Sequence, residues 1–115
     1  MKDEKSFSPL GLSVVVAAAG VAPAGVQALT KSTSQSPNSH SFRIYNSGSA
    51  IVYLGYGKSA SEAQTNSVAP TAGTGRRCIA IPPGAAEILT FERETYFSGL
   101  TSSAASVFVT PGEGV

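Results

Sequence analysis

Residues 42–57 read FRIYNSGSAIVYLGYG and contain two strand-like runs on either side of a short turn. In the first run, residues 42–46, large apolar side chains alternate with polar ones, which is the period of a strand with one buried face. The second run, residues 50–56, is rich in β-branched and aromatic residues, which favour strands. Residues 47–49 (SGS) are typical of a tight turn, so this stretch predicts a β-hairpin.

The rest of the chain is likewise divided into short segments at regular intervals. Apolar runs are separated by loops rich in Gly, Pro, Ser and Asn, which are turn residues. The other predicted strands are residues 13–19, 26–30, 78–81, 86–91, 95–98 and 104–110. Residues 57–65 contain enough helix formers for one helical turn. About eight short strands without a long amphipathic helix predict an all-β, antiparallel β-sandwich or a small barrel.

A chain of 115 residues suits one domain with its own core. We predict a flexible N-terminal arm over residues 1–12 and a single β domain over residues 13–115. Residues 10–29 are dominated by Ala and Gly and interrupted by Pro23, so they predict neither a membrane helix nor a cleaved signal. A shift of one residue would invert the face of any strand. The predicted core consists of Val14, Val16, Phe42, Ile44, Val52, Leu54, Ile79, Ile81, Ile88, Phe97, Val107 and Val109.

The charge content narrows the expected partners. Charged residues make up 13% of the chain and the formal net charge is +1. The electrostatic field of a protein with so little net charge is weak, which argues against nucleic-acid and membrane partners. Charges are depleted where proteins bury surface against each other, so the composition favours assembly with another protein.

His40 is the only histidine of the chain and Cys78 the only cysteine. Neither is accompanied by the other residues that a catalytic or metal-binding site requires. A lone Cys78 excludes an intrachain disulfide and is predicted to be a small core residue. His40 shows no nucleophile or carboxylate pattern around it and is predicted to lie at a strand edge. The sequence therefore predicts no catalytic residue, no metal site and no cofactor.

Three acidic residues, Glu87, Glu92 and Glu94, cluster near one predicted hairpin. A pair of carboxylates can hydrolyse glycosides, but only inside a cleft that raises one pKa. Because Arg93 lies between two of them, a solvated or salt-bridged corner is the preferred interpretation.

The basic pair Arg76-Arg77 is accompanied by Tyr45, Tyr53 and Tyr56. Basic and aromatic residues together can bind single-stranded nucleic acid. The tyrosines, however, divide between two strand faces, so cross-strand packing explains them better. Carbohydrate binding by exposed tyrosines stays open as an alternative.

Four motifs carry a resemblance to a known family. They are residues 42–57, 81–84 (IPPG), 96–101 (YFSGLT) and 109–114 (VTPGEG). The first resembles a motif of small tailed-bacteriophage virion proteins, in which an arginine-containing strand ends in Asn-x-Gly and the partner strand ends at a glycine. The resemblance covers residues 42–115, about two-thirds of the chain.

The resemblance implies a jelly-roll-like sandwich that decorates or cements the outer surface of a phage capsid. The implied partner is the major capsid protein, and the implied assembly is a dimer or trimer on a local symmetry axis of the shell. The arm is expected to bind a neighbouring subunit, as are the loops at residues 31–40 and 66–75. The candidate contact residues in the arm are Phe7, Pro9, Leu10 and Leu12.

Two alternatives remain open at this point. One is a sandwich associated with the tail, baseplate or fibre of the particle, with glycan binding as its function. The other is a secreted or periplasmic binding domain, which would require cleavage within residues 10–29.

Overall fold

The computed structural model describes residues 8–9, 11–28, 39–92 and 94–113. Its strands are divided between two packed sheets and confirm the predicted all-β sandwich. They are β1 (Ser8–Pro9), β2 (Val14–Ala18), β3 (Val26–Gln27), β4 (Ser39–Asn46), β5 (Val52–Gly57), α1 (Ala60–Asn66), β6 (Cys78–Ile81), β7 (Ala86–Glu92), β8 (Tyr96–Thr101) and β9 (Ala105–Glu113).

The strand order is that of a jelly roll. One sheet has five strands, with β1 and β2 side by side on β9, followed by β4 and β7; the other has four, in the order β3-β8-β5-β6. Strand β2 pairs with β9, β3 with β8, β4 with β7 and β5 with β6, all antiparallel. This nested pairing is a long hairpin rolled into two sheets, and it confirms the jelly-roll-like fold.

The predicted hairpin at residues 42–57 is wrong, although both of its strands exist. Strand β4 pairs with β7 and β9, whereas β5 pairs with β6 and β8, so the connection crosses from one sheet to the other. The corner is held by the buried side chain of Asn46. Its Nδ2 donates to the carbonyls of Ala50 and Ile81, each at 3.0 Å, and its Oδ1 accepts from Gly48 N at 2.9 Å. Alternating apolar residues occur both in strands of one hairpin and in strands of two facing sheets. The pattern therefore did not reveal which strands β4 and β5 pair with.

The core lies between the sheets and matches the prediction except in one strand. Val14 and Ile79 are partly buried against its margin, and Ile88 is not part of it. Ile88 is opposite Arg43, one residue out of phase with the inward-facing Leu89 and Phe91. The predicted residues that are fully buried are Val16, Phe42, Ile44, Val52, Leu54, Ile81, Phe97, Val107 and Val109.

Strand β9 continues through Pro111, beyond its predicted end. Pro111 has no N–H, which normally excludes it from the interior of a sheet. Here it is opposite Phe42 of β4, while on its other side β2 ends its pairing at Val109 and β1 begins at Gly112. The missing donor therefore falls in the gap between two neighbouring strands.

Helix α1 forms where residues 57–65 predict a helical turn. Ser59 is its N-cap, with Oγ accepting from Glu62 N at 3.1 Å, and Glu62 Oε1 accepts from Lys58 N at 2.8 Å. The helix packs on β5 and β8 over Gly55, whose lack of a side chain permits the close approach. It therefore covers the outer face of the four-stranded sheet.

The turn between β7 and β8 has a strained residue. Glu94 adopts φ 64°, the left-handed region that L side chains disfavour. Glu94→Gly should raise the free energy of unfolding by about 0.5–1 kcal/mol, because glycine tolerates this φ. Urea denaturation would check this. Gly84→Ala, at φ 74°, should shift stability in the opposite direction, and a destabilised Glu94→Gly protein would contradict the interpretation.

Candidate functional site

The outer face of the five-stranded sheet is the first candidate site, and we call it the docking face. The strand register places its side chains in two rows that cross β2, β9, β4 and β7. The first row is Val15, Phe108, Tyr45 and Ala86. The second row is Thr110, Arg43 and Ile88, and Ser13, just before β2, joins it through a hydrogen bond between its Oγ and Thr110 Oγ1.

The first row is an apolar stripe open to solvent. Val15 and Phe108 are 45% and 38% exposed, and the rings of Phe108 and Tyr45 stack with centroids 6.3 Å apart. The stripe crosses four adjacent strands, which at the usual spacing between strands gives it a length of about 14 Å. The neighbouring residues Val14, Val16, Val107 and Val109 point into the core, which fixes the stripe on the outside.

Arg43 is the charged residue of the docking face. Its guanidinium carbon lies 5.9 Å from the centroid of the Tyr45 ring, a cation–π geometry. The ion pair found among the described residues is that of Lys58 and Glu92. No described carboxylate therefore lies within ion-pair distance of the Arg43 guanidinium, which can pair with a carboxylate of a partner. Tyr, Phe and Arg are the residues that protein interfaces favour, while other charges are depleted there.

A cleft of about 720 Å³ between the edge strands β6 and β7 is the second candidate site. Its floor consists of Tyr56, Ile79, Leu89 and Phe91, which pack against the core on their inner sides. Clefts of this size hold small ligands or peptide side chains.

Four charged residues line the rim of the cleft. Lys58 Nζ is 3.9 Å from Glu92 Oε1, and both side chains are largely exposed, so this ion pair contributes little to stability. Glu62 accepts the Lys58 N–H, as described above. Arg77 lines the rim just before β6, two residues before the inward-facing Ile79. The cleft therefore combines an apolar floor with a charged rim.

The predicted contact residues of the arm lie at the edge of the same sheet, where they are described. Pro9 is exposed and pairs with Gly112, and Leu12 is 77% exposed. Phe7 and Leu10 lie outside the described residues. Because Ser8 and Pro9 form β1, this part of the segment predicted as an arm belongs to the sheet. Of the two predicted contact loops, residues 66–75 are described and mostly exposed, whereas 31–38 lie outside the description.

Cys78 is only partly buried, so its prediction as a core residue is wrong. It is paired with Gly55, on the outward side of β6, and its Sγ donates to Val68 O at 3.2 Å. Partial burial raises the pKa of the thiol above its ordinary value, against the smaller lowering effects of that hydrogen bond and of Arg76. A thiol of raised pKa is a poor nucleophile at neutral pH.

The other residues singled out in the sequence are not brought together into one site. Glu87 and Glu92 lie near opposite ends of β7, and Glu92 contacts Lys58. The backbone of His40 pairs with Phe91, and its side chain is outside the description. Tyr45 is in one sheet and Tyr53 in the other. Within the described ranges, no three His, Cys, Asp or Glu residues are grouped as metal ligands would be, and no helix is long and apolar enough to cross a membrane.

Comparisons with known proteins give no match for the chain among family models, curated proteins or solved structures. The docking face, the cleft and the sequence motifs are therefore the features of the molecule that bear on its function.

Proposed function

We propose that this protein is a structural component of a bacteriophage particle. It decorates the outer surface of the capsid and bridges neighbouring subunits of the major capsid protein. The observation that carries the proposal is the docking face, a solvent-exposed apolar stripe beside an arginine that no described carboxylate pairs. The motif resemblance of residues 42–115 and the jelly-roll fold, which viral capsid domains use, support the same function.

The chemistry of the docking face indicates how it would bind. Val15, Phe108 and Tyr45 lose solvent contact against an apolar patch, which is the main favourable term in association. Arg43 then requires a carboxylate opposite it, because a buried charge without a partner is costly. Many copies on a symmetric shell, linked as a dimer or trimer, would turn weak single contacts into firm attachment.

Substitution in the docking face should weaken attachment to capsids. Phe108→Glu and Val15→Glu place a charge in the apolar stripe, and each should weaken binding at least tenfold, equivalent to about 1.4 kcal/mol. The measurement is co-sedimentation with shells assembled without this protein, with quantification of the bound copies. Saturation at a number that matches the symmetry positions of the shell is the expected result for the wild type.

Val21→Glu is the matched control for this experiment. Val21 is 82% exposed and follows β2 at the end of the sheet, so the same change there should leave binding intact. Thermal unfolding of all three variants would establish that they are folded. If Phe108→Glu and Val15→Glu bind shells as tightly as Val21→Glu does, the docking face is not the capsid contact.

The cleft favours one alternative function, that of a tail-, baseplate- or fibre-associated sandwich that binds host glycan. Tyr56 supplies an aromatic wall there, and Thr90, Glu62 and Arg77 supply polar groups that sugars use. Copy number separates the two functions. A decoration protein should occur on the order of hundreds of times per particle and a tail component far fewer times.

A further inference from the structure

The cleft between β6 and β7 has a shape and a charge distribution that the docking face does not explain. We propose that it binds an extended peptide that inserts an apolar side chain between the two sheets and places a carboxylate against Arg77. This proposal does not depend on the capsid function, because it concerns a different surface of the molecule.

The floor of the cleft is a preformed apolar pocket. The ring of Phe91 lies 5.1 Å from that of Tyr56 and 5.0 Å from the buried ring of Phe97, measured between centroids. These contacts fix the position of Phe91, while its other side lines the cleft beside Ile79 and Leu89. An apolar side chain that enters would remove this surface from water without requiring the floor to rearrange.

The walls of the cleft favour an extended peptide as the occupant. Strand β6 pairs with β5, and β7 pairs with β4; in the described part of the chain neither has a partner on its other side. Edge strands of this kind present N–H and C=O groups that an added strand can use. Strand addition supplies backbone hydrogen bonds, and pockets for alternate side chains supply specificity.

The charge distribution favours an acidic peptide. The carboxylates of Glu62 and Glu92 are both directed at Lys58, one at its N–H and the other at its Nζ. No described carboxylate lies within ion-pair distance of Arg77. A guanidinium binds a carboxylate through two parallel hydrogen bonds, so an acidic side chain of the peptide would complete the site.

The backbone fixes which of the two adjacent arginines faces the cleft. Tyr56 N donates to Arg77 O at 3.2 Å, which extends the pairing of β5 and β6 by one residue. Arg77 therefore has the same strand phase as Ile79, which faces inward. Arg76 has the opposite phase and lies near Cys78, whose thiol its charge affects. The neighbouring arginine is thus a matched control.

The test uses one peptide and its analogues with the full-length protein. The probe is acetyl-Thr-Val-Thr-Leu-Thr-Glu-amide, and its analogues replace Glu by Gln or Leu by Ser. Titration followed by NMR should show shifts at the methyl groups of Ile79 and Leu89. The wild type should bind the Gln and Ser analogues at least fivefold more weakly than the parent peptide.

Arg77→Gln should weaken the parent peptide at least fivefold and should leave the affinity for the Gln analogue unchanged. Arg76→Gln should bind all peptides as the wild type does. Equal binding of the parent peptide by Arg77→Gln and Arg76→Gln would overturn the proposed carboxylate contact. Hexanoate that binds as tightly as the peptide would identify a small acid as the occupant, and no shift at millimolar peptide would also overturn the proposal. None of these results bears on capsid binding, which co-sedimentation measures separately.

Discussion

Replacing Asn46 by alanine is expected to lower the free energy of unfolding by about 3–5 kcal/mol, a large part of the stability of a small domain. The side chain of Asn46 is fully buried and satisfies groups from two segments, the turn after β4 and the end of β6. Its Nδ2 lies within hydrogen-bond distance of the carbonyls of Ala50, Ile81 and Pro82, while its Oδ1 accepts from Gly48 N. Alanine would leave these groups without partners, and each buried unpaired group costs about 1–3 kcal/mol.

Urea denaturation with a fitted m-value would measure the effect, and Asn66→Ala is the matched control. Asn66 makes one bond, from Nδ2 to Tyr56 O at 2.8 Å, and it is only half-buried, so its loss should cost about 1 kcal/mol. If Asn46→Ala costs no more than Asn66→Ala, the corner does not depend on this side chain.

Asn46→Asp extends the test to pH. A carboxylate at this position would face carbonyl oxygens, so its folded pKa should lie above its unfolded value. Stability should then be greatest below the unfolded pKa, about 3.9, and should fall as pH rises through the folded pKa. The wild type, which has an amide here, should not show this loss.

The role of Asn46 also explains why the sequence predicted strands better than their partners. Strand positions follow from a period that each segment carries by itself, and residues 42–46 and 78–81 were placed correctly on that basis. Pairing depends on groups distant in sequence, such as Ile81 O for Asn46. Asn followed two residues later by glycine suits a hairpin turn, so local chemistry favoured the wrong connection.

Each of the two candidate sites likewise has features that the sequence predicts and features that depend on tertiary packing. Val15, Tyr45 and Phe108 could be assigned to strands from the sequence, but their exposure follows from where α1 packs. The helix covers the other sheet because Gly55 and Gly57 leave space for it there. Leu89 and Phe91 of the cleft floor were missed for a simpler reason. The core prediction took Ile88 instead of Leu89, and one residue of error moves a strand to its opposite face.

Gly55→Ala is expected to be the second most damaging of the proposed substitutions, with a loss of about 3 kcal/mol. A Cβ at this position would lie 2.5 Å from Ser67 N and 2.7 Å from Ala63 O. Both are backbone atoms at the end of α1, where Ser67 is buried and its Oγ donates to Ala63 O at 2.9 Å. The clash cannot be relieved by rotating a side chain, so the helix must move away from the sheet.

Two glycines provide graded controls for that prediction. Gly57→Ala would meet chiefly the side chain of Glu62, with Cγ at 2.7 Å, and a flexible side chain can move at a smaller cost. Gly75→Ala meets nothing within 4 Å and should leave stability within about 0.5 kcal/mol of the wild type. Urea denaturation would rank the three variants. Hydrogen exchange at Ala63 N, which donates to Ser59 O, would report on α1 itself. A Gly55→Ala protein that keeps both wild-type stability and wild-type protection at Ala63 would show that the helix does not need this close contact with β5.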